Sequence, residues 1–306
     1  MSEARDLNAF SLAELDNRSV YTALQADVAG FARMAALLRE ETGINLPENQ
    51  KNLGLMASRL LSTMRSHACD SYSQYLMWIN KNGRPAIDEF IQCMTTNTTE
   101  FFREPAHYDS LRAIISGKFP GIPADAPLGQ QGEIRVWCAA ASSGQEPYSI
   151  LMTLLAELER QHRAPDIKFL ATDIDHSMLE HASRGVYSTA EIRSLPADMR
   201  ERWFKPLRHQ DDTPARFVAD RFLRNSITFA PLNLVQTPYP FKHQFDIIFC
   251  RNVLIYFDRA TGKKVVAEMA RHLRPGGFLF LGHSEAGVPR PDELKVVSNA
   301  VYRKGS

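Results

Sequence analysis

Cysteine is scarce in this 306-residue chain: the four (Cys69, Cys93, Cys138, Cys250) stand far apart and form no CxxC pair. Zinc ribbons and fingers need closely spaced ligand pairs, and disulfide scaffolds need far more cysteine per residue, so both classes are excluded. The nine histidines include no HExxH, and no resident metal is expected. No uninterrupted apolar run approaches the ~18 residues of a membrane span. The N-terminus, MSEARDLNAFSLAELDNRSV, has no apolar h-region, so neither membrane insertion nor a signal peptide is expected and the cytoplasm is the expected compartment. A surplus of one charge sign is missing too. Thirty-six Lys+Arg face 35 Asp+Glu, a net charge of +1, which argues against a nucleic-acid binder held by phosphate contacts.

What is present is the composition of a globular protein, 44% hydrophobic and 23% charged, with length for about two domains. Residues 1–27 read as an N-terminal extension with one weak amphipathic stretch, Phe10 to Leu24. From 28 to 95 the periodicity is helical. Phe31, Met34, Leu37 and Leu38 form one stripe, Leu53, Met56, Leu60, Leu61 and Met64 a second, and Tyr72, Tyr75, Leu76 and Ile79 a third. Thr42–Gly43 and Asn82–Gly83 punctuate these runs. Residues 96–132 combine a polar segment, TTNTTEFFREPAHYDSL, with a linker, GKFPGIPADAPLGQQG, that packs three prolines and four glycines into 16 residues.

From 133 to 306 short apolar runs alternate with helical stretches. IRVWCA, IKFLAT, SITFAPLNL, FDIIFC and GGFLFLG read as strands, and LKVVSNAVYRK as a terminal one. The stretch 259–277 reads as a helix ended by Pro275 and Gly276, with Arg271 and Arg274 at its C-terminal dipole. This is the rhythm of an α/β doubly wound sheet. Cys138 and Cys250 end two of the strands and read as small buried residues. Around 200–225 the rhythm breaks into a small antiparallel β-excursion.

The chemistry concentrates in the loops that follow the strands. Ala139 to Gly144 lets a ligand approach the backbone at a strand's carboxyl end, yet there is no GxGxxG. Glu146, just beyond, would repel a pyrophosphate at the helix N-terminus. It suits a cation such as a sulfonium with an α-amino group, or else is simply a helix-start acid favoured by the dipole. ATDID ends the second strand. Asp175 is placed to cap the next helix and Asp173 to bind a ribose diol, 27 residues after Glu146, one β-α-β crossover. Asn233 either meets an adenine edge or caps its strand. A helical turn from Asn252 would put Asn252 and Tyr256 on one face beside Arg251. The segment before the linker is either the cap of a helix starting near Glu104–Pro105 or a lid over a cofactor.

In order, NTTEFFR, AAASSGQEPYS, ATDID, PLNL and CRNVLIYFD, followed by PGGFLFLGHSE, resemble the chemotaxis receptor methyltransferases, the CheR family, over about residues 28–303. The resemblance implies a Rossmann-like S-adenosylmethionine-dependent methyltransferase sheet with a small all-helical N-terminal domain and an inserted antiparallel β-subdomain. It implies methylation of glutamate side chains on the cytoplasmic helices of methyl-accepting chemoreceptors, with S-adenosylhomocysteine as the other product. It also implies Asn97, Thr99 and Arg103 at the cofactor, Ala140 and Glu146 near its methionine part, and Asp173 at the ribose. Asn233 and Leu234 would surround the adenine, and Arg251, Asn252 and Tyr256 would lie beside the methyl, with Arg251 and Tyr256 in the catalytic, orienting roles. A glutamate of pKa about 4.3 is already ionised at neutral pH, so no general base is required.

Lys51, Arg59 and Arg65, with no acid between Glu48 and Asp70, read either as receptor-docking charges or as a solvated helix face. The family's β-subdomain can also bind a receptor tail peptide, in forms with glycines in its loop. RHQDDTPARF has none, so tail binding is not expected. Competing readings are a methylase of another substrate, a silent cofactor-binding module and a dinucleotide oxidoreductase. The absence of an (N/D)PPY-like segment, the retention of Arg251, Asn252 and Tyr256, and the missing GxGxxG argue against them in turn.

Overall fold

The computed structural model describes residues 12–120, 128, 132–207 and 215–305. Most of the proline-rich linker, and the RHQDDTP part of the loop on which tail-peptide binding was judged, lie outside the described residues. Two compact units divide the chain, Met1–Thr95 and Thr96–Ser306.

The first unit is built from α1 (Leu12–Ala26), α2 (Val28–Thr42), α3 (Gln50–Ser66), α4 (Tyr72–Asn82) and α5 (Arg84–Met94). Local chemistry sets their ends. Asp27, Asn49 and Ser71 accept backbone N–H bonds as N-caps of α2, α3 and α4, and Gly43 ends α2 at φ 76. The apolar stripes meet in one core of Phe31, Met34, Met56, Leu60, Met64, Tyr72, Tyr75 and Phe90. Val20 and Leu24 join it from α1, so the described end of the N-terminal amphipathic stretch packs.

In the second unit come α6 (Pro105–Ile115), β1 (Glu133–Cys138), α7 (Gln145–Arg160), β2 (Asp166–Asp173), α8 (His176–Arg184), β3 (Val186–Ser188), α9 (Ala197–Trp203), β4 (Phe204–Leu207), β5 (Arg216–Ala219), α10 (Arg221–Asn225), β6 (Ile227–Pro231), β7 (Phe245–Cys250), α11 (Arg259–His272), β8 (Leu273–Leu281), β9 (Leu294–Ser298) and β10 (Val301–Lys304). Seven strands form a sheet in the order β6-β2-β1-β7-β8-β10-β9, and β10 alone runs against the rest. Central strands covered on both faces read as continuous apolar runs, and all six residues of β7 are buried. Alternate side chains feed two cores: Val136, Cys138 and Phe249 belong to one, Trp137, Ile248 and Cys250 to the other. The strand order reverses direction at β1 and β7, and ligands bind outside the carboxyl ends of strands at such a switch point.

A second sheet, β3-β5-β4, is antiparallel and begins at Val186, before the expected excursion. A three-residue strand is too short to show periodicity. Its buried Tyr187 donates to the Ser143 carbonyl at 2.8 Å, tying this sheet to the loop after β1.

Two expectations for the C-terminal part are corrected. The helix α11 stops at His272, and Arg274-Pro275-Gly276-Gly277 belongs to β8. Leu273 already pairs with Phe245, and the register then slips so that Phe278 pairs with Ile247, making the Pro-Gly-Gly stretch an irregularity in the strand. Arg274 therefore serves no helix dipole. It reaches the buried Asp246 carboxylate at 2.8 Å, which also accepts the Arg135 N–H at 2.7 Å. The terminal segment is a hairpin of β9 and β10 turning at Ala300, φ 54, rather than one strand.

A Cβ on Gly277 would meet the Asp246 carbonyl at 2.9 Å and the Arg274 carbonyl at 3.0 Å, whereas nothing lies near one on Gly287. Gly277→Ala should destabilise the second unit by about 1–3 kcal/mol, with Gly287→Ala near neutral. Equal melting temperatures for the two variants would contradict the strand register.

Candidate active site

Four loops at the carboxyl edge of the sheet are held to one another by side chains that are themselves in the sequence motifs. The loop after β1 runs over Ala139 and Ala141, whose N–H groups bond the Phe249 and Thr172 carbonyls. It turns through Ser142 at φ 45 and Gly144 at φ 99. A Cβ on Gly144 would sit 2.6 Å from the Tyr187 hydroxyl, so only glycine satisfies this turn. Ala140 is half-buried on the loop. At the tip of β2, Asp173 accepts the Ser142 N–H at 2.8 Å and the Asp175 N–H at 3.0 Å. Asp175 caps α8 through Ser177 and Met178, as its position suggested.

Residues 97–104 form a strap across this edge. Asn97 donates to Asp175 at 2.9 Å and its carbonyl accepts the Ser142 hydroxyl at 3.0 Å. The Phe102 N–H bonds Ser149 on α7 at 3.0 Å, while Arg103 reaches back to the Thr98 carbonyl. Glu104 then begins α6 and receives the Asn252 amide at 3.3 Å and the His283 N–H at 3.3 Å. Phe102, Glu104, Ser142 and Asn252 all lie at positive φ, between 45 and 58°. Non-glycine residues held there cost about 1–3 kcal/mol each and persist only where surrounding contacts over-determine them.

The contact that closes the arrangement is Arg251. Its side chain has no solvent exposure and pairs with Glu146 at 2.9 Å and Glu104 at 3.1 Å. It also donates to the Arg103 carbonyl at 2.6 Å, and its Nε–H has no partner among the described residues. Burial pushes the Glu146 carboxyl up, and the guanidinium opposes that shift. Burial likewise raises Asp173 and Glu285, each opposed by backbone N–H bonds. Glu104 and Glu146 thus match one guanidinium, and Asp173 and Glu285 add further buried carboxylates in the loops of the same edge, which favours a positive ligand.

Glu285 organises the loop after β7. Completely buried, it accepts N–H bonds from Gly282 (2.6 Å), Leu254 (2.7 Å), Asn252 (2.9 Å) and Ile255 (3.3 Å). The loop does not form the α-turn expected to align Asn252 with Tyr256. Asn252 is left-handed, at φ 58, and only Leu254–Tyr256 makes a 3-10 turn, because the backbone wraps around this carboxylate. Tyr256 is half-buried at its end.

The structure thus gathers Glu146, Arg251 and Asn252 with Arg103, and joins Ala140's loop to Asp173. Asn233 accepts the Val235 N–H at 3.2 Å; beside it, buried Leu234 receives the Tyr239 hydroxyl through its carbonyl. They follow β6, whose end is bonded to β2 through the Leu232 N–H and Asp173 carbonyl. Thr99 lines a cleft of about 490 Å³ with Glu100, Gln145, Glu191 and Arg193. Sequence reasoning took Glu104 only for a helix start and missed Glu285. The signal for Glu285 was its place just after a strand end, in GHSE.

A switch-point site on a sheet of this order defines a Rossmann-like protein, here without a phosphate-binding GxGxxG. Residues 97–303 match the family described as CheR methyltransferase, SAM binding domain, and residues 29–95 its all-alpha domain. A chemotaxis protein methyltransferase of Escherichia coli is 37% identical over 259 residues, 84% of each chain. Another, of Borreliella burgdorferi, is 34% identical over 275 residues, 90% of this chain and 93% of its own. Chemotaxis protein methyltransferase 2 of Pseudomonas aeruginosa is 34% identical over 273 residues, 89% and 91%. The chain belongs to the CheR methyltransferase family.

Glu285→Ala orphans four backbone donors and should cost about 1–3 kcal/mol, and Glu285→Gln, which keeps a carbonyl acceptor, should cost less. Denaturant unfolding that fails to separate Glu285→Ala from the parent would remove Glu285 from this role.

Proposed function

We propose that this protein is a protein-glutamate O-methyltransferase, which carries the methyl group of S-adenosylmethionine to glutamate side chains of chemoreceptors and leaves γ-glutamyl methyl esters. The observation that carries the reading is the convergence of the family's motif segments on one sheet edge, joined through Arg251. The donor set fits the cofactor. Asp173 still has acceptor capacity for ribose hydroxyls after its bonds to the Ser142, Ile174 and Asp175 N–H groups. The surplus of carboxylates around Arg251 suits an ammonium and a sulfonium.

Bound S-adenosylmethionine supplies a methyl group made electrophilic by its sulfonium. Asp173 holds the ribose, and Asn233 and Leu234 flank the adenine. Ala140 and Glu146 lie at the methionine part. Asn97, Thr99, Arg103 and Asn252 complete the pocket, with the strap excluding water. The incoming glutamate is ionised at neutral pH and needs no proton removed. Tyr256 orients it and offers an aromatic face to positive charge.

Arg251 takes a different part from the orienting one expected of it. Its charge is already matched by Glu104 and Glu146, so it does not seize the substrate carboxylate. A permanent pair of that kind would stabilise the ground state and slow transfer. Arg251 instead positions the strap and the first turn of α7.

Receptor docking falls to α3, where two of the three expected charges already have partners. Arg59 is half-buried and donates to the Met94 carbonyl, and Arg65 pairs with Asp70. Lys51 is exposed and is the clearest docking charge of the three. No helix among the described residues is long and apolar enough to cross a membrane, and the cytoplasmic helices of receptors place the reaction in the cytoplasm.

Methyl-labelled S-adenosylmethionine incubated with the protein and chemoreceptor-containing membranes tests the reading. Receptor label released by mild base is the expected result, while base-stable label, or none, contradicts it. Lys51→Glu should lower receptor labelling about threefold or more without changing affinity for S-adenosylhomocysteine. Equal labelling would exclude docking through Lys51.

A further inference from the structure

We propose, resting on the glutamate O-methyltransferase reading, that Ile255 is an apolar anchor for the receptor helix, one turn away from the glutamate that receives the methyl group. Five large apolar side chains are exposed among the described residues: Val28, Met77, Phe222, Ile255 and Val296. Four of them stand on α2, α4, α10 and β9. Ile255, 50% exposed, alone lies in a loop that carries site residues, with Arg251 and Asn252 before it and Tyr256 after it.

An isolated apolar residue on a surface is ordinary. Ile255 differs in that its backbone is held and its apolar neighbours are turned inward. Leu254 belongs to the core that Trp137, Ile248 and Cys250 feed, and Val253 and Phe257 pack against it. The Ile255 N–H bonds the Glu285 carboxylate at 3.3 Å, while the Tyr256 and Phe257 N–H groups bond the Val253 and Leu254 carbonyls at 3.1 Å. Rolling Ile255 inward would break the bonds around a buried carboxylate. Its side chain is therefore presented to solvent by a platform already fixed in the fold, and a preorganised contact loses little freedom on binding.

The spacing fits a helical partner. Ile255 and Tyr256 are successive residues of one 3-10 turn, with Cα atoms about 3.8 Å apart and side chains roughly 120° apart around it. On a helix, residues three and four positions from a glutamate lie about 5–6 Å from it on the same face. With Tyr256 at the glutamate, Ile255 meets one of those positions, and the residue it takes there is small or apolar. The turn on the other side of the Glu285 carboxylate carries His283 and Ser284, both exposed. An apolar contact bordered by polar side chains is the ordinary anatomy of a protein interface. The buried Arg251 adds no charge to it, being matched by Glu104 and Glu146.

Initial rates of methyl labelling over a range of receptor concentrations, in chemoreceptor-containing membranes, test the anchor. Ile255→Ser should raise the receptor KM about fivefold or more, with kcat and affinity for S-adenosylhomocysteine within about twofold of the parent. Ile255→Val, which keeps most of the apolar surface, should stay within about twofold in KM, as should Val296→Ser on β9. An unchanged KM in Ile255→Ser, with receptor still labelled by the parent, overturns the anchor and leaves the methyltransferase reading standing. Loss of cofactor affinity in Ile255→Ser, or an equal rise in KM for Val296→Ser, overturns the anchor too. Receptor left unlabelled by the parent overturns both.

Discussion

A guanidinium withdrawn from water is tolerable only where carboxylates and carbonyls replace the solvent, because the desolvation of an isolated buried charge exceeds anything packing returns. Arg251 meets that condition with groups from two separate parts of the chain: Glu146 at the start of α7, and Arg103 and Glu104 in the strap, all brought to the end of β7. The constraint acts in both directions. None of these groups can move without leaving a buried charge unmatched, so the edge of the sheet is set as a unit.

Backbone strain sits where this network can hold it. Of the seven non-glycine residues at positive φ among the described residues, Phe102, Glu104, Ser142 and Asn252 lie in the strap or in the two loops it touches. Glu285 secures the last of these loops by collecting four N–H groups that no helix or strand would satisfy. The result is a preorganised edge whose buried carboxylates favour a positively charged ligand, while the buried Arg251 is already neutralised. That division of charge suits a reaction in which an anionic side chain approaches a sulfonium and neither must exchange a proton.

Much of this was legible from the residues. Central strands such as FDIIFC announce burial on both faces, and the acids at 146, 173 and 175 stand where strand ends and helix starts put them. Asp175 was read as a cap from its position alone. Other features need three dimensions. Arg251 was expected beside the methyl in an orienting role, and its pairing with Glu146 and Glu104, 105 and 147 residues away in sequence, is visible only in the fold. The Arg-Pro-Gly-Gly run looked like a helix end because those residues usually terminate helices, and only the pairing of Leu273 with Phe245 makes it strand. Asn252 and Tyr256 were placed on a helical face by spacing, yet a carboxylate 33 residues downstream of Asn252 reshapes that turn.

Hydrogen exchange on Arg251→Met tests most directly whether Arg251 holds the strap. The account predicts that amides of residues 97–104 exchange about tenfold faster or more, while β1 and β7 stay protected. Unchanged protection of the strap, or equal acceleration across the whole sheet, would contradict it.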